Sequence, residues 1–414
     1  MADGNSAVAK YINASPEEVV LGPSTTQLFR NLSFSLYDYI LPGDEIICSK
    51  LDHEANVASW IQLANDRGAT LKWYEPEDKQ NPQITPDALR KLMSPSTKFF
   101  ACTQTSNILG TINDVKALAA TLHEVPGALL CVDAVAYAPH RAIDVRDWGV
   151  DFYSFSWYKV YGPHIATLYA SKSAQKHMRT LGHFFKPTDT LENLLGLAAA
   201  NYELTASIPQ VCKYLEQTPW DQIAEHEEKL QRILIDYLKS KPDLIKIWGE
   251  QVADKRKRVP VISFTVKGRK SRDVVEAIEA QSNFGCRWGS FYSNRLCEEV
   301  LGLDAVDAVI RVSLVHYNSG KLVKLYVSVQ NHLLMPFASA QRRRSRSTSK
   351  YSIGSSHHSE AAHGLLIAWL SSFPSAPSQR PQWLLSARAT SLCPSAPDIP
   401  ARLQQAAQPE LAPS

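Results

Sequence analysis

The sequence lacks the cysteine pairs and the long apolar runs that mark several classes of protein. Its seven cysteines form no C-x-x-C pair and are odd in number, which argues against a disulfide framework or a zinc site and favours a reducing compartment. The first residues contain no apolar signal core. The longest apolar stretch near the C-terminus, Leu365–Leu370, is too short for a bilayer, which takes about 20 residues. We therefore expect a soluble cytoplasmic protein with no membrane partner and no bound metal.

A strong charge of one sign is also lacking. The formal net charge is +3, and residues 341–350 carry five basic residues and no acid, so removing them changes the net charge from +3 to −2. The body of the chain is thus not a basic nucleic-acid binder, and we expect no nucleic-acid partner. Residues 336–414 are rich in Ser, Pro, Arg, Ala and Gln. We expect a disordered tail there, with a gene-model artefact or splice variant as the alternative.

Short apolar runs alternate with helical stretches in the first half of the chain. Strands are predicted at 18–21, 45–48, 71–74, 98–102, 128–132, 152–155 and 165–169. This alternation predicts an α/β layer with a mainly parallel sheet, which we assign to a large domain at 1–205. A smaller α+β domain is predicted at 206–335 from a charged amphipathic helix at 222–240, a helix at 271–281 and strands at 259–266, 285–288 and 309–314.

Two polar residues stand at the ends of neighbouring apolar strands. One strand ends in Asp133, and the strand DFYSFS ends shortly before Lys159, 26 residues after that acid. The carboxyl ends of parallel strands line the ligand crevice of such a sheet. A carboxylate there can pair with the pyridine nitrogen of pyridoxal phosphate, and a lysine amine can form a Schiff base with its aldehyde and later move a Cα proton. Spacing alone favours the plainer interpretation, a turn acid and a surface lysine.

Three further segments can contribute to the same site. The turn from Gly22 to Thr26 consists of small residues and enters a helix, where it can hold a phosphate or simply cap the helix. His53 follows a strand and can stack on a flat ring, or it is a surface histidine. Asn107 follows the strand FFACTQ and can bond a ring hydroxyl, or it is an ordinary loop asparagine.

Five segments in order resemble motifs of the class V aminotransferase family, particularly its cysteine desulfurase-like branch. They are VVLGPSTTQLF, PGDEIICSKLDHEANVASW, QTSNILGTIND, FSWYKVYGPH and VIRVSLVHYN, and the match spans about 10–320. The resemblance implies a type I fold of pyridoxal-phosphate-dependent transferases, with a large domain built on a mainly parallel sheet and a small C-terminal α+β domain. It also implies pyridoxal 5'-phosphate as cofactor and a homodimer with active sites at the subunit interface.

The resemblance further implies a role for each matching residue. Its cofactor contacts are Thr25, Thr26, Ser156 and Tyr158 at the phosphate, His53 on the ring face, Asn107 at the 3-hydroxyl oxygen, Asp133 at the pyridine nitrogen and Lys159 as the Schiff-base lysine. Among these, Lys159, His53 and Asp133 are the catalytic residues. Arg311 and Tyr292 are the substrate-binding residues, and Arg311 is expected to grip the α-carboxylate as a bidentate pair.

The chain departs from the desulfurase pattern in ways that bear on the reaction. Tyr292 stands where desulfurases carry a nucleophilic cysteine, while Cys286 and Cys297 lie six residues before and five residues after it. A persulfide needs a mobile, exposed thiolate, so we expect this branch member to lack the catalytic cysteine. Ala136 replaces the Gln or His that relatives place three residues after the acid. The N-terminal arm of relatives is expected to be missing.

These features imply an enzyme that transforms an L-amino acid through a Cα carbanion. The expected outcome is lyase chemistry, with cleavage at Cβ or between Cβ and Cγ, or transamination, in secondary metabolism. A carbon–carbon lyase acting on a γ-functionalised amino acid is preferred within that pair. Two alternatives remain open: a cysteine desulfurase, and an inactive relative that binds pyridoxal phosphate or acts as a scaffold.

Overall fold

A seven-stranded sheet forms the framework of the computed structural model, which describes residues 2–196, 200–217 and 219–333. Its strands are β1 (Val19–Gly22), β2 (Glu45–Ser49), β3 (Thr70–Tyr74), β4 (Thr97–Thr103), β5 (Leu129–Asp133), β6 (Phe152–Ser156) and β7 (Ala166–Ala170). They lie in the order β1-β7-β6-β5-β4-β2-β3. Strands β2 to β6 pair in parallel, whereas β7 is antiparallel to both of its neighbours. The predicted mainly parallel α/β sheet is confirmed.

Helices connect the strands. They are α1 (Ala2–Tyr11), α2 (Thr25–Ser35), α3 (Ala58–Arg67), α4 (Pro86–Leu92), α5 (Val115–Leu122), α6 (Val145–Trp148), α7 (Lys172–Gln175), α8 (Leu191–Leu195), α9 (Tyr202–Glu216), α10 (Trp220–Lys239) and α11 (Ser271–Gln281). Shorter 3-10 turns occupy Pro16–Glu18, Glu54–Asn56 and Trp157–Lys159, and a π-helical turn occupies Leu296–Val300. Residues 320–333 are also helical.

The large sheet is covered on both faces. Adjacent residues of β4 show this directly, because Phe99 packs into the hydrophobic core beside α2 and α3, whereas Phe100 packs into a separate core beside α1 and α5. Strands β5, β6 and β7 are buried along their whole length. Burial on both faces explains why these strands are nearly continuous apolar runs in the sequence.

A second, antiparallel sheet follows in the chain. It consists of β8 (Ile245–Trp248), β9 (Val261–Val266), β10 (Arg287–Gly289) and β11 (Val309–Ser313), in the order β10-β11-β9-β8. Helices α10 and α11 share a third hydrophobic core with it, in which Leu234, Ile278 and Ile310 are fully buried. Three of its strands were predicted, but β8 was missed because the four-residue run IKIW is interrupted by a lysine.

The boundaries at 1–205 and 206–335 stay a prediction. The tail predicted at 336–414 lies outside the described residues. No helix within the described ranges is long and apolar enough to cross a membrane.

Candidate active site

One cavity lies at the carboxyl ends of the parallel strands. It is lined by Ser24, Thr25, Thr26, His53, Ala55, Thr103, Thr105, Asn107, Asp133, Val135, Ala136, Ser156, Tyr158 and Lys159. The space between them, including the part open to solvent, measures about 530 Å³, within the range of small-molecule sites. All eight residues named above as cofactor contacts are in this set. They come from five separate segments of the chain, which the sheet order brings to one edge.

Lys159 ends the 3-10 turn that follows β6. The protein around its amine desolvates the ammonium form and lowers the pKa of Lys159 below the usual value, and the positive charge of Arg311 lowers it further. The negative charge of Asp133 acts in the opposite direction. A lysine with a lowered pKa has more of the neutral amine, which is the form that attacks an aldehyde or accepts a proton.

Asp133 is the last residue of β5 and is 5% exposed. Burial raises the pKa of this carboxyl, while the hydrogen bond that it accepts from the Val135 N–H and the charges of His53 and Lys159 lower it. The N–H to Oδ1 distance is 2.9 Å for the heavy atoms. The carboxylate is thus fixed at the cavity wall by its own loop and lies deep enough to favour a cationic partner.

Two hydroxyl groups meet at the cavity wall. Thr25 Oγ1 and Ser156 Oγ are 2.9 Å apart, and both residues are buried. The hydroxyl of Ser24 accepts the Gln27 N–H and thereby caps α2, so capping does not occupy the hydroxyls of Thr25 and Thr26. The start of a helix with hydroxyls beside it can bind a phosphate group. Tyr158 flanks it, stacked on His164 at 4.9 Å between ring centroids.

His53 is half-buried and its ring orientation is fixed. Its Nδ1 accepts the Ala55 N–H at 3.0 Å, and burial lowers the pKa of the imidazole. Both effects favour the neutral ring, which suits stacking on an aromatic cofactor rather than charge pairing. The ring of Tyr292 lies 5.3 Å from it, measured between centroids.

Asn107 has a second set of contacts that the sequence did not reveal. Its Nδ2 donates to the carbonyl of Phe291 at 3.1 Å, and its Oδ1 accepts the Ser293 hydroxyl at 2.9 Å. Its backbone carbonyl accepts a hydrogen bond from Arg311 Nη1 at 2.9 Å. Asn107 therefore joins the cavity to a turn and a strand of the second half of the chain.

Arg311 and Tyr292 are not among the residues that line the cavity. Arg311 lies on β11 with its guanidinium 3.7 Å from the ring centroid of Phe291. Its Nε is buried without a hydrogen-bond partner among the described residues, and burial lowers the pKa of Arg311 to about 10. A buried cation with an unused donor can accept a carboxylate ligand. Tyr292 is 74% exposed and borders the site through His53.

Other residues of the site were missed from the sequence. Thr103 and Thr105 line the cavity, and the Thr105 hydroxyl is buried without a partner in the described chain. Asp52 is 3% exposed and accepts the Thr103 N–H at 2.8 Å and the Asn56 amide at 2.7 Å. A polar T-x-T directly after an apolar strand was the available signal for the threonines.

None of the cysteines in the described ranges reaches the cavity. Cys48, Cys102, Cys131, Cys212, Cys286 and Cys297 are all buried. Burial raises the pKa of Cys297 to about 12 and also raises that of Cys286. These two thiols flank Tyr292 in sequence, but they are neither exposed nor ionised at neutral pH, so they are poor nucleophiles. The described residues also contain no cluster of acidic, histidine or cysteine side chains arranged to hold a metal ion.

Comparison with known proteins gives a consistent picture. The family model described as aminotransferase class V matches residues 1–325. The chain is 56% identical over 316 residues to the aminotransferase-like protein FGM3 of Gibberella zeae, covering 76% of this chain and 78% of that protein. It is 40% identical over 327 residues to the cysteine desulfurase-like protein ustD of Aspergillus flavus, covering 78% and 74%.

A third relative and a solved structure extend the comparison. The nonribosomal peptide synthetase-like enzyme fsqF of Aspergillus fumigatus is 42% identical over 321 residues, which are 77% of this chain and 22% of that enzyme. The cysteine desulfurase of Thermococcus onnurineus superposes with a TM-score of 0.72 at 24% identity, covering 81% of this chain and 84% of that one. At this identity the superposition shows the fold alone.

Proposed function

Because this chain belongs to the class V aminotransferase family, whose members use pyridoxal phosphate, we propose that Lys159 holds this cofactor and that the enzyme transforms an L-amino acid at Cα. The observation that supports it most is the meeting of Lys159, Asp133 and the Thr25–Ser156 hydroxyl pair around one cavity. The three groups match the aldehyde, the ring nitrogen and the phosphate of one molecule. Each group alone has a structural explanation, whereas their convergence does not.

The residues fit the cofactor in charge as well as in position. Asp133 is a buried carboxylate whose pKa is raised by burial, and a protonated pyridine nitrogen would offset that burial. The N-terminus of α2 and the two hydroxyls offer donors to a phosphate. His53, held neutral, would cover one ring face, and Asn107 would contact the ring hydroxyl with the amide hydrogen that Phe291 does not use. These assignments are part of the proposal.

The chain's own residues define the proposed chemistry. When bound, pyridoxal phosphate stabilises negative charge at Cα of an attached amino acid. Arg311 fixes the substrate carboxylate with its free Nε and holds it in one orientation. Lys159, with its lowered pKa, accepts the Cα proton and can return it at another atom. Asp133 keeps the ring nitrogen protonated through its negative charge.

Within this chemistry, lyase action with cleavage at Cβ or between Cβ and Cγ is favoured, with transamination as the alternative outcome. Desulfuration is disfavoured because a sulfur-accepting thiol must be exposed and ionised, and the six described cysteines are buried. Cys393 lies outside the described residues. A γ-functionalised amino acid is the preferred substrate class. A role in secondary metabolism is supported by similarity to an enzyme named as nonribosomal peptide synthetase-like.

A spectroscopic experiment tests the proposal. Purified protein with added pyridoxal phosphate should show a visible band that borohydride removes, and Lys159→Ala should abolish it while the fold is retained. A panel of amino acids, assayed for alanine, keto acid and sulfide, then identifies the reaction. No band in well-folded wild-type protein would support the scaffold alternative. Rapid sulfide release from cysteine would restore the desulfurase alternative.

A homodimer in the cytoplasm completes the proposal. Two adjacent aromatic residues, Phe184 and Phe185, are 96% and 70% exposed, and neighbouring exposed aromatics favour contact with another protein surface. Light scattering of the purified protein should give twice the chain mass. A monomer at micromolar concentration would contradict this part of the proposal.

A further inference from the structure

The segment Phe291–Arg295 is a turn that leads into a helix. It is called the wall turn below and borders the cavity through its contacts with His53 and Asn107. Phe291 and Tyr292 have φ angles of 49° and 61°, in the left-handed region that residues other than glycine rarely adopt. Two consecutive aromatic residues in this conformation are strained, and such strain persists only where surrounding contacts enforce it. The contacts that hold the wall turn therefore indicate what it does.

Three separate contacts join the wall turn to the cofactor side of the cavity. The Tyr292 carbonyl accepts the Glu54 N–H at 2.8 Å. The Asn107 amide bonds both the Phe291 carbonyl and the Ser293 hydroxyl. The carboxylate of Glu54 forms an ion pair with Arg295.

Partial burial and a neighbouring aromatic ring stabilise this ion pair. The side chains of Glu54 and Arg295 are 44% and 27% exposed, and the Arg295 guanidinium also lies 4.9 Å from the ring centroid of Trp73. A planar guanidinium bound to both a carboxylate and an aromatic face is held more firmly than an isolated surface pair. Lys50 lies nearby and bridges both Glu75 and Glu299, and its pair with Glu299 joins the same two parts of the chain.

Glu54 directly follows His53, so the contacts on Glu54 fix the wall turn against the ring-facing histidine. These contacts also determine the position of the Tyr292 side chain. Its ring lies 5.3 Å from the ring of His53, measured between centroids, and the residue is 74% exposed. The ring is thus exposed to solvent beside His53, on a backbone whose left-handed conformation is accompanied by these contacts. No other use of this exposed, strained tyrosine is evident from its contacts.

We propose that the Glu54–Arg295 ion pair is a latch that holds Tyr292 as a rigid wall of the substrate pocket. Glu54 and Arg295 are positioning residues, and Tyr292 is the residue that meets the substrate side chain. This inference rests on the proposed amino-acid chemistry for its kinetic consequence, but the latch itself is a property of the folded chain. It follows that this turn confines the substrate instead of delivering a mobile nucleophile.

Hydrogen exchange tests the latch without any catalysis. Glu54→Gln and Arg295→Gln should each speed amide exchange in the peptide covering 290–297. The matched control is Glu276→Gln, which removes the exposed Arg272–Glu276 ion pair on α11 and should leave that peptide unchanged. Unchanged exchange in both latch variants would overturn the inference, whatever the activity of the protein.

A double-mutant cycle tests the role of Tyr292. Glu54→Gln should raise KM for the amino-acid substrate about tenfold with kcat nearly unchanged, and Tyr292→Ala should raise it at least as much. Because the latch acts through Tyr292, adding Glu54→Gln to Tyr292→Ala should have no further effect. Additive effects, or faster exchange with an unchanged KM, would overturn the wall function. Faster exchange in a protein that binds no cofactor would instead refute the proposed enzyme while leaving the latch intact.

Discussion

The hydroxyl oxygens of Thr25 and Ser156 lie 2.9 Å apart although 131 residues separate them in the chain. If they bind the cofactor phosphate, Ser156→Ala should raise the apparent Kd for pyridoxal phosphate by about 10- to 100-fold, since a hydrogen bond to a charged group contributes roughly 1.5–3 kcal/mol. Titration of the visible band measures this. Ser49→Ala is the matched control at the end of β2. Its buried hydroxyl accepts the Leu51 N–H at 3.0 Å and does not line the cavity, so equal losses in both variants would refute the phosphate role.

The charges around Lys159 predict the pH dependence of cofactor attachment. Only the neutral amine attacks the aldehyde, so the rate should rise with pH and level off above the pKa of Lys159, which is lowered from 10.5. Arg311→Gln removes a charge that lowers this pKa and should move the midpoint to higher pH. Asp133→Asn removes a charge that raises it and should move the midpoint to lower pH. Stopped-flow absorbance gives both midpoints, and shifts in the same direction would contradict the assignment.

Arg311 is expected to bind the substrate carboxylate. Arg311→Gln should raise KM by on the order of 100-fold, because truncating one partner of a buried charge pair costs about 2–5 kcal/mol. Its cross-strand neighbour Arg287 pairs with Glu279 at the surface, so Arg287→Gln should leave KM unchanged. The visible band serves as a check that cofactor binding survives. An unchanged KM in Arg311→Gln would contradict the substrate-binding role. It would leave Arg311 with only a structural role, the hydrogen bond to the Asn107 carbonyl.

Gly110 fixes the loop that carries Asn107. Its φ is +72°, and a Cβ there would lie 2.4 Å from the Val261 carbonyl oxygen. Gly110→Ala should destabilise the protein by about 2–4 kcal/mol, seen as a lower Tm. Gly268 has a similar φ of +73° with nothing near a Cβ, so Gly268→Ala should cost only the conformational strain of about 1–2 kcal/mol. Equal changes in Tm would show that close approach to Val261 does not matter.

The sheet was predictable because the burial of each strand appears in its own short stretch of sequence. Strands buried on both faces are nearly continuous apolar runs, so β2 and β4 to β7 were located within one or two residues. Strand β8 was missed because a single lysine, whose ammonium lies over the ring of Trp248 at 3.6 Å, broke a short run. Helix α1 was also missed. The turn from Gly22 to Thr26 predicted the start of helix α2 but not its end at Ser35 with Leu36 as its C-cap.

The sequence predicted which residues belong to the site better than it predicted which of them contact one another. Polar residues at strand ends mark the cavity, which is why Asp133 and Lys159 could be singled out. The contacts between Asn107 and the wall turn span more than 180 residues, and no local pattern encodes them. Asp52 was likewise passed over, because its burial beneath the neighbouring strand depends on sheet order rather than on spacing.

The pairing of β1 with β7 has a consequence for the order in which this protein is made. Within the described sheet β7 is the only neighbour of β1, and Val19 pairs with Tyr169. Among the strands of this sheet β1 comes first in the chain, so it waits for the last strand of the sheet, with its edge unpaired in the meantime. Closing so long a loop is slow. The turn at Ser24–Thr26 follows β1 directly, so this part of the cavity wall takes its place only when β1 pairs with β7.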